Sequence, residues 1–308
     1  MHAMALGDGI RRDVATVTDE ERRRLRDAFL QMDTNKYTYP DGVTYWDKQE
    51  EVHKGAHAAG QDVHGGPAFL PWHRELVNRL EGLLRKVDPD LSLHYWDWTT
   101  DPRVSGDGRT ALFTPAFMGS SSGDIGEPFP DFETTEPGPH TKVWRNVAVG
   151  PPVVAQLSNV AFGLGIALDD TIVTTGDDLP GEQQYTAMDA VLQGSHNYIH
   201  SRYIRGTIAN PHFSFHDPFV FLLHSNVDRL WARWQNAPGH AWRLDPDKVY
   251  GTVGDQPASS VNAPLQPWAG GADGHVRPWS TGEDPSDPPA AKTSKDETIV
   301  AQSAQYDR

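Results

Sequence analysis

The chain has 308 residues, no cysteine and a net charge of −15. That length suits one large domain or two small ones, and without cysteine neither disulfides nor thiolate metal sites can form. The charge argues against nucleic acid and anionic membrane surfaces, which both attract basic faces, and no stretch approaches the length of an apolar membrane span.

The first residues contain no apolar run of signal-peptide length, and Arg11 and Arg12 lack the hydrophobic segment of an export signal. A cytoplasmic location is therefore expected, or export with a partner. The first helix is predicted from Thr18, where Thr18 and Glu21 have capping-box spacing and Leu25, Phe29 and Leu30 supply the apolar stripe. Residues 33–43 read as a loop. A second helix is predicted over about 44–58, with His53 and His57 four apart on one face. A third follows Gly65, Gly66 and Pro67, with His73, Leu76, Leu80 and Leu83 or Leu84 on one face. Glu75 with Arg79 and Glu81 with Arg85 are expected to pair on its exposed side, and Asp88 with Pro89 to end it. Residues 91–98 (LSLHYWDW) read as a short strand or extended segment.

Residues 100–180 are rich in Gly, Pro, Ser and Asp and read as long loops wrapped over a helical core, anchored by Phe113, Phe117, Phe129, Phe132 and Trp144. A fourth helix is predicted over roughly 182–203. A fifth is predicted from Asp217 as N-cap, with Pro218 at its first position, through about Trp234. From about 250 the chain is expected to hug the surface. The whole reads as a single domain, with a core at about 18–245 and a loop-rich extension over 246–308.

The histidines carry the chemistry. His196 and His200 are spaced i,i+4 and can share one metal ion, with His224 delivered from the next helix. On the other side, His73 lies on the third helix, His64 just before it and His53 on the second. A set of imidazoles alone suits copper, zinc, iron or nickel, and spacing by itself does not separate zinc from copper. Three neutral imidazoles leave a metal coordinatively open, and two adjacent copper ions can each give one electron to O2.

The runs 64-HGGPAFLPWHR-74, 95-YWDW-98, 196-HNYIH-200 and 217-DPFVFLLHSNVDRLWARWQ-235 resemble the signature blocks of the type-3 copper family. That family comprises tyrosinases, catechol oxidases, o-aminophenol oxidases and molluscan-type haemocyanins. The resemblance covers roughly residues 40–100 and 185–236. It implies a mainly α fold: a four-helix bundle around a dinuclear copper centre, with long loops and minor strands. It implies two copper ions, one held by His53, His64 and His73 and the other by His196, His200 and His224. His53 is preferred over His57 because residues 45–52 resemble the aromatic-rich approach to the family's first ligand, which leaves His57 a supporting role. It also implies that Asp228 hydrogen-bonds a ligand histidine and fixes its tautomer. Asp97, Trp96 and Trp98 are read as structural.

Three departures bear on substrate. Leu223 stands where many members have a second histidine. Asn197 is present, but Gln193 stands where members that hydroxylate monophenols often have a glutamate base; Asp189 is the substitute if the alignment slips by a turn. Residues 210–217 should form the rim over the second copper, with His212 and His216 as acid–base or orienting groups. The family's C-terminal shielding domain is expected to be missing, which would leave the site open. The resemblance thus implies an oxidase of o-diphenols or o-aminophenols that uses O2, served by a copper-delivery partner protein. Full tyrosinase activity is the alternative. A haemocyanin-like oxygen carrier would need its substrate channel blocked, and a zinc hydrolase would need a motif such as H-E-x-x-H, which the chain lacks.

Overall fold

Thr18 opens the first helix as its spacing predicts. Its hydroxyl accepts from Glu21 N at 3.2 Å while the Glu21 carboxylate accepts from Thr18 N at 2.9 Å, so two of the helix's unpaired donors are satisfied reciprocally. The computed structural model describes residues 6–58, 63–251, 261–263, 265, 293–301 and 305–308. In chain order these are β1 (Ile10–Arg11), α1 (Asp19–Met32), α2 (Asp47–Ala58), α3 (Phe69–Val87), β2 (Ser122–Asp124), β3 (Trp144–Asn146), α4 (Leu157–Val160), α5 (Asp169–Thr174), α6 (Gly181–Tyr198), α7 (Phe219–Gln235), α8 (Glu297–Val300) and β4 (Gln305–Tyr306), with short 3-10 and π turns between them. No helix among the described residues is long and apolar enough to cross a membrane.

The fold is mainly helical. β1 pairs with β4 in parallel, and β2 with β3 antiparallel. α3 and α7 lie against each other at the centre, with α1, α6 and α8 also touching α3 or α7. The apolar stripe of α3 is fully buried through Leu76, Leu80, Leu83 and Leu84. Both expected i,i+4 pairs form, Glu75 with Arg79 at 2.7 Å and Glu81 with Arg85 at 3.4 Å, but the two glutamates are buried and not on an exposed side. Glu81 turns inward, taking Arg11 through both carboxylate oxygens and the amide of Leu93 at 2.8 Å. Arg11, distant in sequence, outcompetes solvent for that carboxylate.

Residues 91–98 form no ladder beyond a single bridge from Tyr95 to Asp13. They run extended between α3 and α7, with Trp96 N donating to Leu222 O and the Ser225 hydroxyl to Leu93 O. The segment over 100–180 is mostly loop, as expected. Phe117, Phe129 and Phe132 are buried in the core, and Arg145, fully buried, reaches across to Asp217. Asp217 accepts from Phe219 N at 2.9 Å, so it caps α7 from two residues before the helix begins.

α6 ends at Tyr198 rather than running to Tyr203. Residues Ile199–Ile204 form a π turn, a form that recurs at functional sites. Of the stretch after about 250, residues 252–260, 264, 266–292 and 302–304 lie outside the described residues. Ile299 and Val300 are fully buried. Tyr306 donates from its hydroxyl to Asp228 at 2.6 Å and accepts from Arg11 at 2.9 Å. Ile299, Val300 and Tyr306 thus tie this stretch to the core, while Glu297, Gln305, Asp307 and Arg308 stay exposed on its outer side.

Asp228 is the hub of that core. Its carboxylate pairs with Arg74 of α3 and with Arg11, all three side chains being buried. Arg74 also donates to Gln235 Oε1 and Ile299 O and lies over the Trp231 ring at 3.6 Å. Removing one partner of such a cluster leaves charge uncompensated in a low dielectric. Asp228→Ala is therefore expected to lower unfolding free energy by about 3–5 kcal/mol, read from urea denaturation; an unchanged midpoint would contradict this account.

Glu50 of α2 is buried, and its carboxylate accepts from the amide of Phe215 at 3.2 Å. Burial pushes its pKa from 4.5 up to about 8, against the pull of Lys54. A raised folded-state pKa means that the stabilising contribution is fully present below about 4.5 and is lost as pH rises through about 8. Glu50→Gln keeps the acceptor and removes the titration. The variant should gain stability relative to the parent at pH 9 and show no such gain at pH 4, measured by thermal unfolding at both.

Candidate metal centre

Four α-helices, a π turn and a loop bring six histidines together. His53 comes from α2, His73 from α3, His196 from α6, His200 from the π turn after it, and His224 from α7, while His64 precedes α3. The turn that presents His64 needs a left-handed residue at Gly65 (φ +85°). α6 holds that turn in place: the Gln193 side-chain oxygen accepts from Gly65 N at 2.7 Å, and the Tyr185 hydroxyl donates to Pro67 O at 2.7 Å.

The six rings form two groups, His53 with His64 and His73, and His196 with His200 and His224. In each, one nitrogen per ring lies within 4.8 Å of the other two. The groups face each other directly. His73 and His224 stack with ring centroids 4.7 Å apart and planes 11° apart, and His64 lies 6.2 Å from His196. The side chain of His57 lies outside the described residues.

Hydrogen bonding settles which nitrogen points inward. Nδ1 of His73, His224 and His200 donates to the carbonyls of Phe69 (2.8 Å), Val220 (2.8 Å) and Ile208 (2.6 Å). A carbonyl only accepts, so each Nδ1 carries the proton and each neutral ring presents a bare lone pair at Nε2. His73 Nε2 and His200 Nε2 are buried with no hydrogen-bond partner. His196 donates from Nδ1 to the Asn197 side-chain oxygen at 3.0 Å, and its Nε2 lies 3.0 Å from Nε2 of His224. Burial first, then neighbouring imidazoles, holds His73, His196 and His224 well below the ordinary histidine pKa. Burial brings His200 down to about 4. Three imidazoles converge in each group, with the inward lone pairs of His73, His196, His200 and His224 set by their Nδ1 hydrogen bonds, an arrangement that fits a cation in each group, and an all-imidazole donor set with no carboxylate or thiolate suits copper.

A cavity of about 370 Å³ opens over both groups. Five of the six histidines line it, all but His73, together with Asn197, Ser201, Ala209, Pro211, Ser214 and Phe215. Asn197 is exposed at its mouth. Its oxygen is committed to His196, which leaves its NH2 group to face a ligand. Phe215 was not singled out by sequence reasoning. Its ring lies 4.5 Å from that of His53 and 5.2 Å from that of His224, one histidine from each group. Its sequence signal is its place in the rim segment, between His212 and His216.

Other expected site residues are placed differently. Gln193 does not line the cavity; besides Gly65 it bonds Asp189 at 2.6 Å, so it shapes the turn that carries His64. Asp228 does not orient a ligand histidine. Both of its oxygens serve Arg74, Arg11 and Tyr306, while His224 takes the main-chain carbonyl one turn back. His216 is half-buried and does not line the cavity, and Asp47 and Lys54 of α2 are the charges that act on it. The Ser214–His216 turn is pinned to Glu50 through Phe215 N and so presents Phe215 inward. His212 is exposed, and Leu223 is fully buried, away from the cavity.

The common central domain of tyrosinase matches the chain over residues 43–237, a stretch that contains all six histidines. The chain is 31% identical over 244 residues to the tyrosinase-like protein tyr-3 of Caenorhabditis elegans, covering 75% of this chain and 32% of that protein. It thus spans about a third of that relative's length. It is 27% identical over 305 residues to grixazone synthase of Streptomyces griseus, covering 87% of this chain and 92% of that one. The fold superposes on the tyrosinase from Burkholderia thailandensis with a TM-score of 0.57 at 16% identity, covering 97% of this chain and 73% of the other; at that identity the likeness speaks for the fold alone. Taken with the facing histidine groups, the match over the central domain makes this chain a member of the tyrosinase family, a type-3 copper oxidase whose two triads could hold the two copper ions.

Proposed function

We propose that the six histidines are the copper ligands, His53, His64 and His73 for one ion and His196, His200 and His224 for the other. We further propose that the enzyme oxidises o-diphenols and o-aminophenols to o-quinones and quinone-imines. Two diphenol molecules each lose two electrons and two protons, and one O2 becomes two waters. The copper pair, when bound, supplies the route by which those electrons pass from phenol to O2. A copper-delivery partner protein, and residues 1–308 acting as one catalytic domain, belong to the same reading.

The protein's own groups do the binding and orienting. Pro211, Ala209 and Phe215 give an aromatic ring apolar walls, and the NH2 group of Asn197 can donate to a substrate hydroxyl. The observation that carries the preference for o-substituted substrates is the lining itself. Among the described residues no carboxylate lines the cavity, and the Gln193 amide is held by Gly65 and Asp189. A monophenol therefore meets no general base of the kind that contributes about 10²–10⁴ in rate.

Metal analysis of copper-loaded protein should give about two ions per chain and His224→Asn about one, since an amide is a poor substitute for an imidazole ligand; two ions in the variant would remove His224 from the ligand set. Oxygen uptake should be rapid with catechol and o-aminophenol and lower with tyrosine by about 100-fold or more in kcat/KM. Comparable turnover of tyrosine would overturn the preference while leaving the copper site standing.

A further inference from the structure

We propose that Phe162 and Leu164 form an apolar ledge beside the active-site mouth that binds a hydrophobic substituent on the substrate ring, so that the preferred phenols carry a bulky, uncharged apolar group. This inference rests on the phenol-oxidase reading above and deepens it.

The first observation is where apolar surface is exposed. Seven of the eight large apolar side chains exposed among the described residues fall between Val149 and Leu168, Phe162 being 80% exposed and Leu164 46%. Elsewhere the aromatic residues are mostly buried. Exposed apolar side chains gathered in one twenty-residue stretch are a candidate binding surface. Residues 149–168 also contain no charged side chain, in a chain of net charge −15. An uncharged apolar ligand is the one such a surface favours, since it offers no counter-charge to an ionic group.

The second is that the ledge is built, not loose. Val153 N donates to the Tyr198 hydroxyl, Ile166 N to Val153 O, Ala155 N to Ile166 O, and Ala167 N to the Ser195 hydroxyl. Val160 packs so closely on α6 that a Cβ on Gly194 would stand 2.0 Å from the Val160 carbonyl oxygen. The backbone is held on the same helix that carries His196 and Asn197.

The third is position. Gly163 separates Phe162 from Leu164, and a Cβ placed on it would lie 3.8 Å from Cβ of Asn197. Asn197 lines the cavity and is itself exposed. The loop that carries the two side chains thus adjoins a residue of the cavity lining. A ring held by the Asn197 amide would direct a substituent outward across that edge, and burying an apolar substituent there removes water from both surfaces.

The test compares the copper-loaded parent with the double variant Phe162→Ser, Leu164→Ser, both residues lying outside the catalytic lining. Calorimetry with benzoate and 4-tert-butylbenzoate, neither of which is oxidised, reads binding directly. The parent should bind the tert-butyl probe about tenfold more tightly, and the variant should lose that preference while binding benzoate within about twofold of the parent. Kinetics should agree: KM for 4-tert-butylcatechol rises about tenfold in the variant, while KM and kcat for catechol stay within about twofold. A parent that does not distinguish the two benzoates, or a variant that keeps the preference, overturns the ledge. So does a parent that dimerises in sedimentation velocity through these residues and shows no probe preference, because the surface would then join two copies of the chain. If no catechol is oxidised, the phenol-oxidase reading fails by itself, and the benzoate pair still decides the ledge.

Discussion

The buried ion pair between Arg74 and Asp228 is the contact on which the rest of the site depends. Arg74 directly follows His73 on α3, and Asp228 comes one turn after His224 on α7. Pairing the two charges fixes the axial register of the helices, and that register brings the two imidazoles into parallel contact at 4.7 Å. Taking charges out of water is costly, and neighbours must compensate. Here Arg11, Tyr306, Gln235 and the carbonyl of Ile299 complete the cluster. Residues near both ends of the chain are thereby tied to the helix pair that carries one histidine of each triad.

The triads are oriented mainly by backbone. In His73 and His224 the Nδ1 proton goes to the carbonyl four residues back, a group that any helix supplies. That geometry sends each Nε2 away from its own helix and into the space between helices. His200 obtains the same result from the Ile208 carbonyl because the π turn displaces it. His196 uses the side chain of Asn197 instead, and this couples one triad directly to the cavity mouth. No carboxylate enters these bonds, so the acidic residues of the region are free for structural duties. Gln193 braces the His64 turn, and Glu50 pins Phe215 over His53 and His224.

The long segments outside the helices also have a mechanical role. Arg145, from the loop-rich middle of the chain, clamps Asp217 at the start of α7. Residues 149–168 lie along α6 against Gly194 and Asn197. The centre is thus a helical core whose approach is shaped by loops, and chemistry and access are assigned to different parts of the chain.

Spacing along the sequence determined what is local. The capping box at Thr18, the apolar face of α3, the i,i+4 placement of His196 and His200, and the family blocks follow from helical period and from short runs of residues. These were legible because each depends on neighbours a few positions apart. Tertiary structure alone decided the partners of the polar side chains. Asp228 chose two arginines over a histidine, Gln193 chose a glycine turn over the cavity, and His216 yielded the cavity to Phe215. Each choice depends on a group that lies far away along the chain or on another element. The strength of a buried polar contact follows from which groups meet after packing has excluded water, and periodicity holds no record of that.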